Sequence, residues 1–230
     1  MVLMMPGAKR RSTKELPAVS RSYIENLINK VDQTTYGESI QPGLSPAEQR
    51  MRNKALIVLL YLSARRISEI VGRVYKYPNG EEDRWVGVAP DDLEEATVEN
   101  LRVLRMHVRI LKRGTKAKTL KLVMRPVDMR IEDPLMPHLL KWLKFAKEHR
   151  YQRAFPISRG RAWQIMNELD PNIWNHWFRH QRITHLSSTM SPFELKAFAK
   201  FAKMETALDY IHESPARILR KTEEADKLWK

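Results

Sequence analysis

The sequence predicts a mainly α-helical domain carrying a small antiparallel β-hairpin. Three observations predict it. Two capping boxes, Ser45-Pro46-Ala47-Glu48 and Ser191-Pro192-Phe193-Glu194, each open an apolar run with proline in the first turn. Several further stretches place apolar residues at helical spacing on one face. Strict alternation is confined to Arg105–Lys112 and Leu120–Met124, which flank Arg113-Gly114-Thr115.

In chain order, residues 1–13 hold Lys9, Arg10 and Arg11 beside Pro6 and Gly7, and read as a flexible basic arm. Tyr23, Ile24, Leu27, Ile28 and Val31 share one helical face, with Ser20 or Ser22 as the cap. Gln33 to Gly43 reads as a linker, so residues 1–44 form an arm, a short helix and a linker ahead of the main domain, 45–230. The helix opened by Ser45 should run to about Leu62, and its nearly continuous apolar residues place it centrally. Arg66 follows, where Ile67–Val71 starts a new turn. Residues 73–95 carry Pro78, Gly80 and many acids, from Glu81 to Glu95, and read as an acidic loop insertion that its charge keeps away from a nucleic-acid path. The hairpin comes next, with Met106, Val108 and Ile110 on its buried face and Lys112, Arg113, Lys116 and Lys118 at its tip. A helix over 134–150 buries Leu139, Leu140, Trp142 and Leu143. Ser158 caps another helix, with Arg159 and Arg161 near its positive end, suited to phosphate. His176, Arg179 and His180, spaced i, i+3 and i+4, would share one helical face, with Trp177 and Phe178 turned to the core. The helix after Ser191 should run through Ala202. Tyr210 lies on a short helix, and a charged tail helix closes the chain.

Composition bounds the function. The 41 Lys and Arg residues against 27 Asp and Glu give a net charge of +14. Such an excess implies an anionic partner, most simply nucleic acid. The absence of cysteine excludes disulfides, thiolate zinc sites and cysteine nucleophiles. No apolar run reaches the length of a membrane span, and the N-terminus lacks the apolar core of a secretory signal. An intracellular, DNA-associated location in cytoplasm or nucleoid is expected. His176 and His180 are spaced as a metal pair, but Trp177 stands where a zinc protease needs glutamate. No metal or other cofactor is expected.

Three pieces then form a set: Arg66-Ile67-Ser68-Glu69-Ile70, His176-x-x-Arg179-His180, and Tyr210-Ile211-His212. In this order and spacing they resemble the tyrosine recombinase, or phage-integrase, family from about residue 45 to 215. The resemblance implies that family's catalytic-domain fold, with Arg66 and Arg179 holding a phosphodiester, His176 moving protons and Tyr210 attacking phosphorus. It also implies a lysine on the hairpin that protonates the leaving oxygen. Lys112 is the closest match and Lys116 the second. The family places His or Trp nine residues before its tyrosine; here that position is Phe201, which cannot donate a hydrogen bond, with Lys200 beside it as a replacement contact. His180 is a further supporting candidate. Lys9, Arg10, Arg11, Arg113, Lys118, Arg159 and Arg161 are candidate DNA contacts.

The expected reaction is metal-independent strand cleavage and rejoining through a 3′-phosphotyrosine. It would serve recombination, integration or transposition of a mobile element or virus, an archaeal one among the candidates. Subunits would associate on double-stranded DNA as dimers or tetramers. The alternatives are relaxation of DNA in the manner of a type IB topoisomerase, and an inactive DNA-binding protein of the same fold, of which Phe201 would be the symptom.

Overall fold

The structure is a computed structural model that describes residues 19–34, 43–76, 80–111, 124–174, 176–211 and 215–228. The basic arm, most of the linker and the hairpin tip with Lys112, Arg113, Lys116 and Lys118 lie outside these residues.

The central element is helix α2 (Pro46–Ser63), preceded by α1 (Arg21–Gln33). Ser45 Oγ accepts from the Glu48 amide and Glu48 Oε2 accepts from the Ser45 amide at 2.7 Å, closing the expected capping box. Every residue from Ala55 to Leu62 is buried. A helix buried all round needs neighbours on all sides. Here α1, α4 (Met136–Glu148) and α6 (Trp177–Ser187) pack against it. Trp142 of α4 is fully buried, and its Nε1 donates to the Ala154 carbonyl at 2.7 Å. Ser20, rather than Ser22, caps α1.

Two small antiparallel sheets complete the domain. One contains β3 (Leu93–Val98), β4 (Leu101–Arg109) and β5 (Met124–Arg130) in that order. Met106 and Val108 of β4 pair with Val127 and Arg125 of β5, and Met106, Val108, Val127 and Met129 are buried in the main core. The outward side of the same ladder carries Arg105 in a forked ion pair with Asp128, at 2.8 and 2.9 Å. Among the described residues the second arm of the hairpin runs over 124–130; positions 120–123 lie outside them.

The described part of the acidic stretch, 73–76 and 80–95, is built of strands as well as loop. Its first half forms a separate hairpin, β1 (Arg73–Lys76) and β2 (Glu82–Trp85), and its end enters β3. Four of its acids pair with basic side chains of the strands: Glu82 with Lys76, Asp83 with Arg109, Glu94 with His107 and Glu95 with Arg102. Arg109, expected on the solvent side of β4, is buried because Asp83 binds it at 2.8 Å.

After α5 (Arg159–Leu169) and α6 come α7 (Pro192–Ala199), α8 (Glu205–Leu208) and α9 (Pro215–Leu228). Helix α7 ends at Ala199, short of Ala202, because Lys200 adopts a left-handed conformation with φ 53°. Among the described residues, no helix is long and apolar enough to cross a membrane.

Candidate active site

The first arginine is set by how α2 stops. Ala64 takes a left-handed conformation with φ 50°, which ends the helix and turns the chain. Arg66 is then the N-cap of α3 (Ile67–Val71). Glu69 holds it twice: Oε2 accepts from the Arg66 amide at 3.0 Å, and Oε1 accepts from Nη1 at 2.9 Å. This is capping-box spacing used to fix a guanidinium, since the same carboxylate caps the helix and orients the charge. Glu69 is fully buried. Burial opposes its charge, but Arg66, its amide, Arg65 and Arg179 outweigh that penalty, so its pKa lies below the ordinary value and it stays ionised.

Arg179, from α6, is buried and bridges two chain segments. Its Nη1 donates to the Ala64 carbonyl at 2.6 Å and its Nη2 to the Ala199 carbonyl at 2.7 Å. Arg65, also buried, donates from Nη2 to the Phe198 carbonyl at 2.6 Å. These two side chains tie the end of α2 to the end of α7. Burial, and then the neighbouring guanidiniums, lower Arg179 to about 9 and Arg65 to about 10. Both remain charged at neutral pH. Three guanidiniums, of Arg65, Arg66 and Arg179, thus surround one carboxylate, and the positive excess is a receptacle for an anion.

Tyr210 follows α8 in a turn, its amide donating to the Ala207 carbonyl at 3.1 Å. Its ring stacks on Phe201, with centroids 5.9 Å apart and an interplanar angle of 18°. The Arg179 guanidinium lies over Phe201, 5.1 Å from its centroid. Phe201 is therefore a spacer between arginine and phenol. The Tyr210 hydroxyl is 3.4 Å from Nδ1 of His180. Burial raises the phenol's pKa above its ordinary value, while Arg179 and Arg66 pull it down.

The two histidines are not equivalent. His180 is buried against Tyr210, whereas His176 is the exposed N-cap of α6, outside the helix that was expected to align both. Although the ring of His176 reaches solvent, the protein around it thins its hydration, which lowers its pKa. Arg66, Arg179 and Arg159 lower it further. His176 is therefore mostly neutral near pH 7 and able to accept a proton.

Arg66, Arg179, His176, His180, Phe201 and Tyr210 thus come together. Lys200 is the C-cap of α7, next to Ala199 whose carbonyl binds Arg179; burial, and then Arg65 and Arg125, lower its pKa. Arg161 is engaged with Glu168 at 3.0 Å. Lys9, Arg10, Arg11, Lys112, Arg113, Lys116 and Lys118 lie outside the described residues. Glu69 and Arg65 were missed as site residues. The R-x-x-E capping spacing could have revealed Glu69; nothing local distinguishes Arg65, whose partner is distant in sequence. Among the described residues there is no group of three or more His, Cys, Asp or Glu that could hold a metal ion.

No protein-family model matches this chain, and no curated protein sequence matches it. Solved structures do. A XerH site-specific recombinase bound to difH substrate in a pre-cleavage complex aligns with TM-score 0.56 and 17% identity, over 94% of this chain and 54% of that one. The post-cleavage complex of XerH with palindromic difH gives 0.54 and 16%, over 92% and 52%. XerA recombinase gives 0.52 and 11%, over 90% and 64%. The chain spans between about half and two thirds of the length of these structures. The chain has the tyrosine recombinase catalytic-domain fold.

Proposed function

We propose that this protein breaks and rejoins DNA strands through a covalent 3′-phosphotyrosine on Tyr210, in site-specific recombination, integration or transposition. The observation that carries this reading is the grouping of Tyr210, His180 and Arg179 around Phe201, beside the Arg66–Glu69 pair.

Chemically, attack on phosphorus adds negative charge to the non-bridging oxygens. Arg66 and Arg179 are the donors for that charge. The phenol must lose its proton as the Oη–P bond forms, and the bond to the 5′-oxygen breaks. His176 and His180 are the nearby imidazoles able to accept that proton. The leaving 5′-oxygen takes one, with Lys112 the first choice as donor and Lys116 the second. A 5′-hydroxyl of another strand reverses the steps and releases the tyrosine. The raised pKa of Tyr210 keeps the resting phenol protonated, and a bound phosphodiester would draw it toward the guanidiniums. Synapsis would bring further copies of the chain together on DNA.

Phe201 supports one competing reading. A phenyl ring donates no hydrogen bond to phosphate, so the site is one donor poorer than the family's usual set and would suit a protein that binds DNA without cutting it. Incubation with supercoiled and nicked DNA, followed by SDS quenching, separates the two. A covalent protein–DNA adduct that Tyr210→Phe abolishes supports cleavage. Binding without adduct supports the inactive reading. Mapping the break then separates a site-specific enzyme from one that relaxes DNA anywhere.

A further inference from the structure

A cleft of about 630 Å³ lies between the β1–β2 hairpin and the N-terminus of α5, outside the Tyr210 centre. Arg73, Arg84, Arg153 and Arg159 line it, and among the described residues no acidic one does. Among the described residues, Arg84, Arg153 and Arg159 have no ion-pair partner. The hairpin's own carboxylates are engaged elsewhere: Glu82 with Lys76, and Asp83 with the buried Arg109. Ser158 caps α5 by accepting from the Arg161 amide alone, so the amides of Arg159 and Gly160 add partial positive charge to the same wall.

The cleft is rigidly joined to the candidate active site. Gly72 and Gly87 cross at backbone contact; a Cβ on Gly72 would lie 2.4 Å from the Trp85 carbonyl oxygen, and one on Gly87 2.6 Å from that of Ile70. Both glycines have positive φ, 92° and 98°, so no other residue fits easily there. Trp85 at the end of the hairpin donates from Nε1 to the carbonyl of Glu69, the residue that holds Arg66. On the other wall, Arg159 is near enough to act on His176.

We propose that this cleft is a second phosphodiester-binding surface, which takes the backbone of a DNA duplex beside the phosphate held at Tyr210. It rests on the reading that DNA is the substrate. It reverses the expectation that the acidic stretch avoids DNA, because the acids neutralise cations of the sheet while the arginines face the cleft. The occupant is a polyanion with regularly spaced charges, which suits several guanidiniums along one groove better than a single small anion does.

The test is anisotropy titration of duplex DNA of generic sequence across a salt series, with wild type, Arg84→Ala/Arg153→Ala and Arg84→Lys/Arg153→Lys. Arg84 is exposed and Arg153 half-buried, and the lysine pair keeps the charge as a folding control. Losing two phosphate contacts should flatten the slope of log K against log salt by about 1.8 in the alanine pair. The lysine pair should retain the wild-type slope. A wild type that binds DNA and forms the Tyr210 adduct, with all slopes equal, overturns the cleft proposal and leaves the function standing. A wild type that binds no DNA overturns both. If poly-glutamate binds wild type and the alanine pair loses only that binding, the occupant is an acidic protein segment and the proposal also fails.

Discussion

The two halves of the candidate active site rest on different foundations. Arg66 and Glu69 sit on α3, backed by α2 and the main core, where Leu56, Ile57, Leu59, Ile70 and Trp142 are all fully enclosed. Tyr210 sits above a satellite cluster whose buried members are Ala64, Ile183, Leu195, Ala199 and Ala207. Alanines bury little apolar area, so this second cluster adds far less stabilisation per residue. Its anchors are largely polar: Arg179 on the Ala64 and Ala199 carbonyls, Arg65 on that of Phe198. In the proposed reaction, Arg66 is thus held on the stiff part, and Tyr210 on a thinly packed part that Arg179 ties to it. A nucleophile that must reach phosphorus, carry a DNA strand and release it is better served by a segment that can shift.

The largest expected effect falls on the stiff half. Trp142→Ala should cost about 3–5 kcal/mol of unfolding free energy, from lost burial and the cavity left behind. Denaturant titration checks it. Leu195→Ala should cost nearer about 2 kcal/mol, the low end of such truncations, because its alanine-rich surroundings have less to lose. Equal costs would break the contrast between the two clusters.

Arg179→Ala acts on both halves at once. Removal of a charge-stabilising donor should slow adduct formation by about 10²–10³-fold. Global stability should fall as well, since the Ala64 and Ala199 carbonyls lose their partner. Quenched-flow adduct assays and denaturant curves on one preparation separate the two effects. Unchanged adduct kinetics would remove Arg179 from the reaction.

Phe201→Trp keeps an aromatic spacer between Arg179 and Tyr210 and adds an indole N–H. One added hydrogen bond of about 1 kcal/mol corresponds to roughly a fivefold faster cleavage. An unchanged or slower rate would mean that the phenyl ring itself suits this site.

The smallest expected effect is on alkaline stability. Burial raises the Tyr210 pKa above 10.0 in the folded state. The group's stabilisation is therefore complete below pH 10 and is lost as pH rises through the folded-state value. Tyr23, pushed up to about 12 by burial and Asp170, also loses its contribution in alkali, so the informative quantity is wild type minus Tyr210→Phe. The variant should lose less stability than wild type as pH rises above about 10.

Local chemistry made much of this legible in advance. The capping boxes at Ser45 and Ser191 fix where α2 and α7 begin, since a side chain and an amide three residues apart need nothing from the rest of the chain. Trp177 and Phe178 of α6 are buried, as their apolar character suggests, and so are Arg179 and His180 beside them. Helix ends were less legible: Lys200 stops α7 early through a left-handed turn that no glycine marks. The stretch 73–95 reads as loop from its Pro, Gly and acids, yet it contains strands whose acids bind Arg109 and His107 of β4. Those partners are remote in sequence, so no local pattern announces them.

By itself, the sequence determined a mainly helical domain with one small antiparallel hairpin, the order of Arg66, Arg179 and Tyr210, and a strongly basic charge. Periodicity, capping and composition are local or summed properties, and one chain displays them directly. Tertiary structure alone decided that His180 rather than His176 lies beside the phenol, and that Phe201 separates Tyr210 from Arg179. It also decided that Arg65 and Arg179 tie two helix ends together and that four arginines meet in one cleft. Each depends on distances between segments far apart in sequence, set by how α2, α3, α6 and the sheets pack.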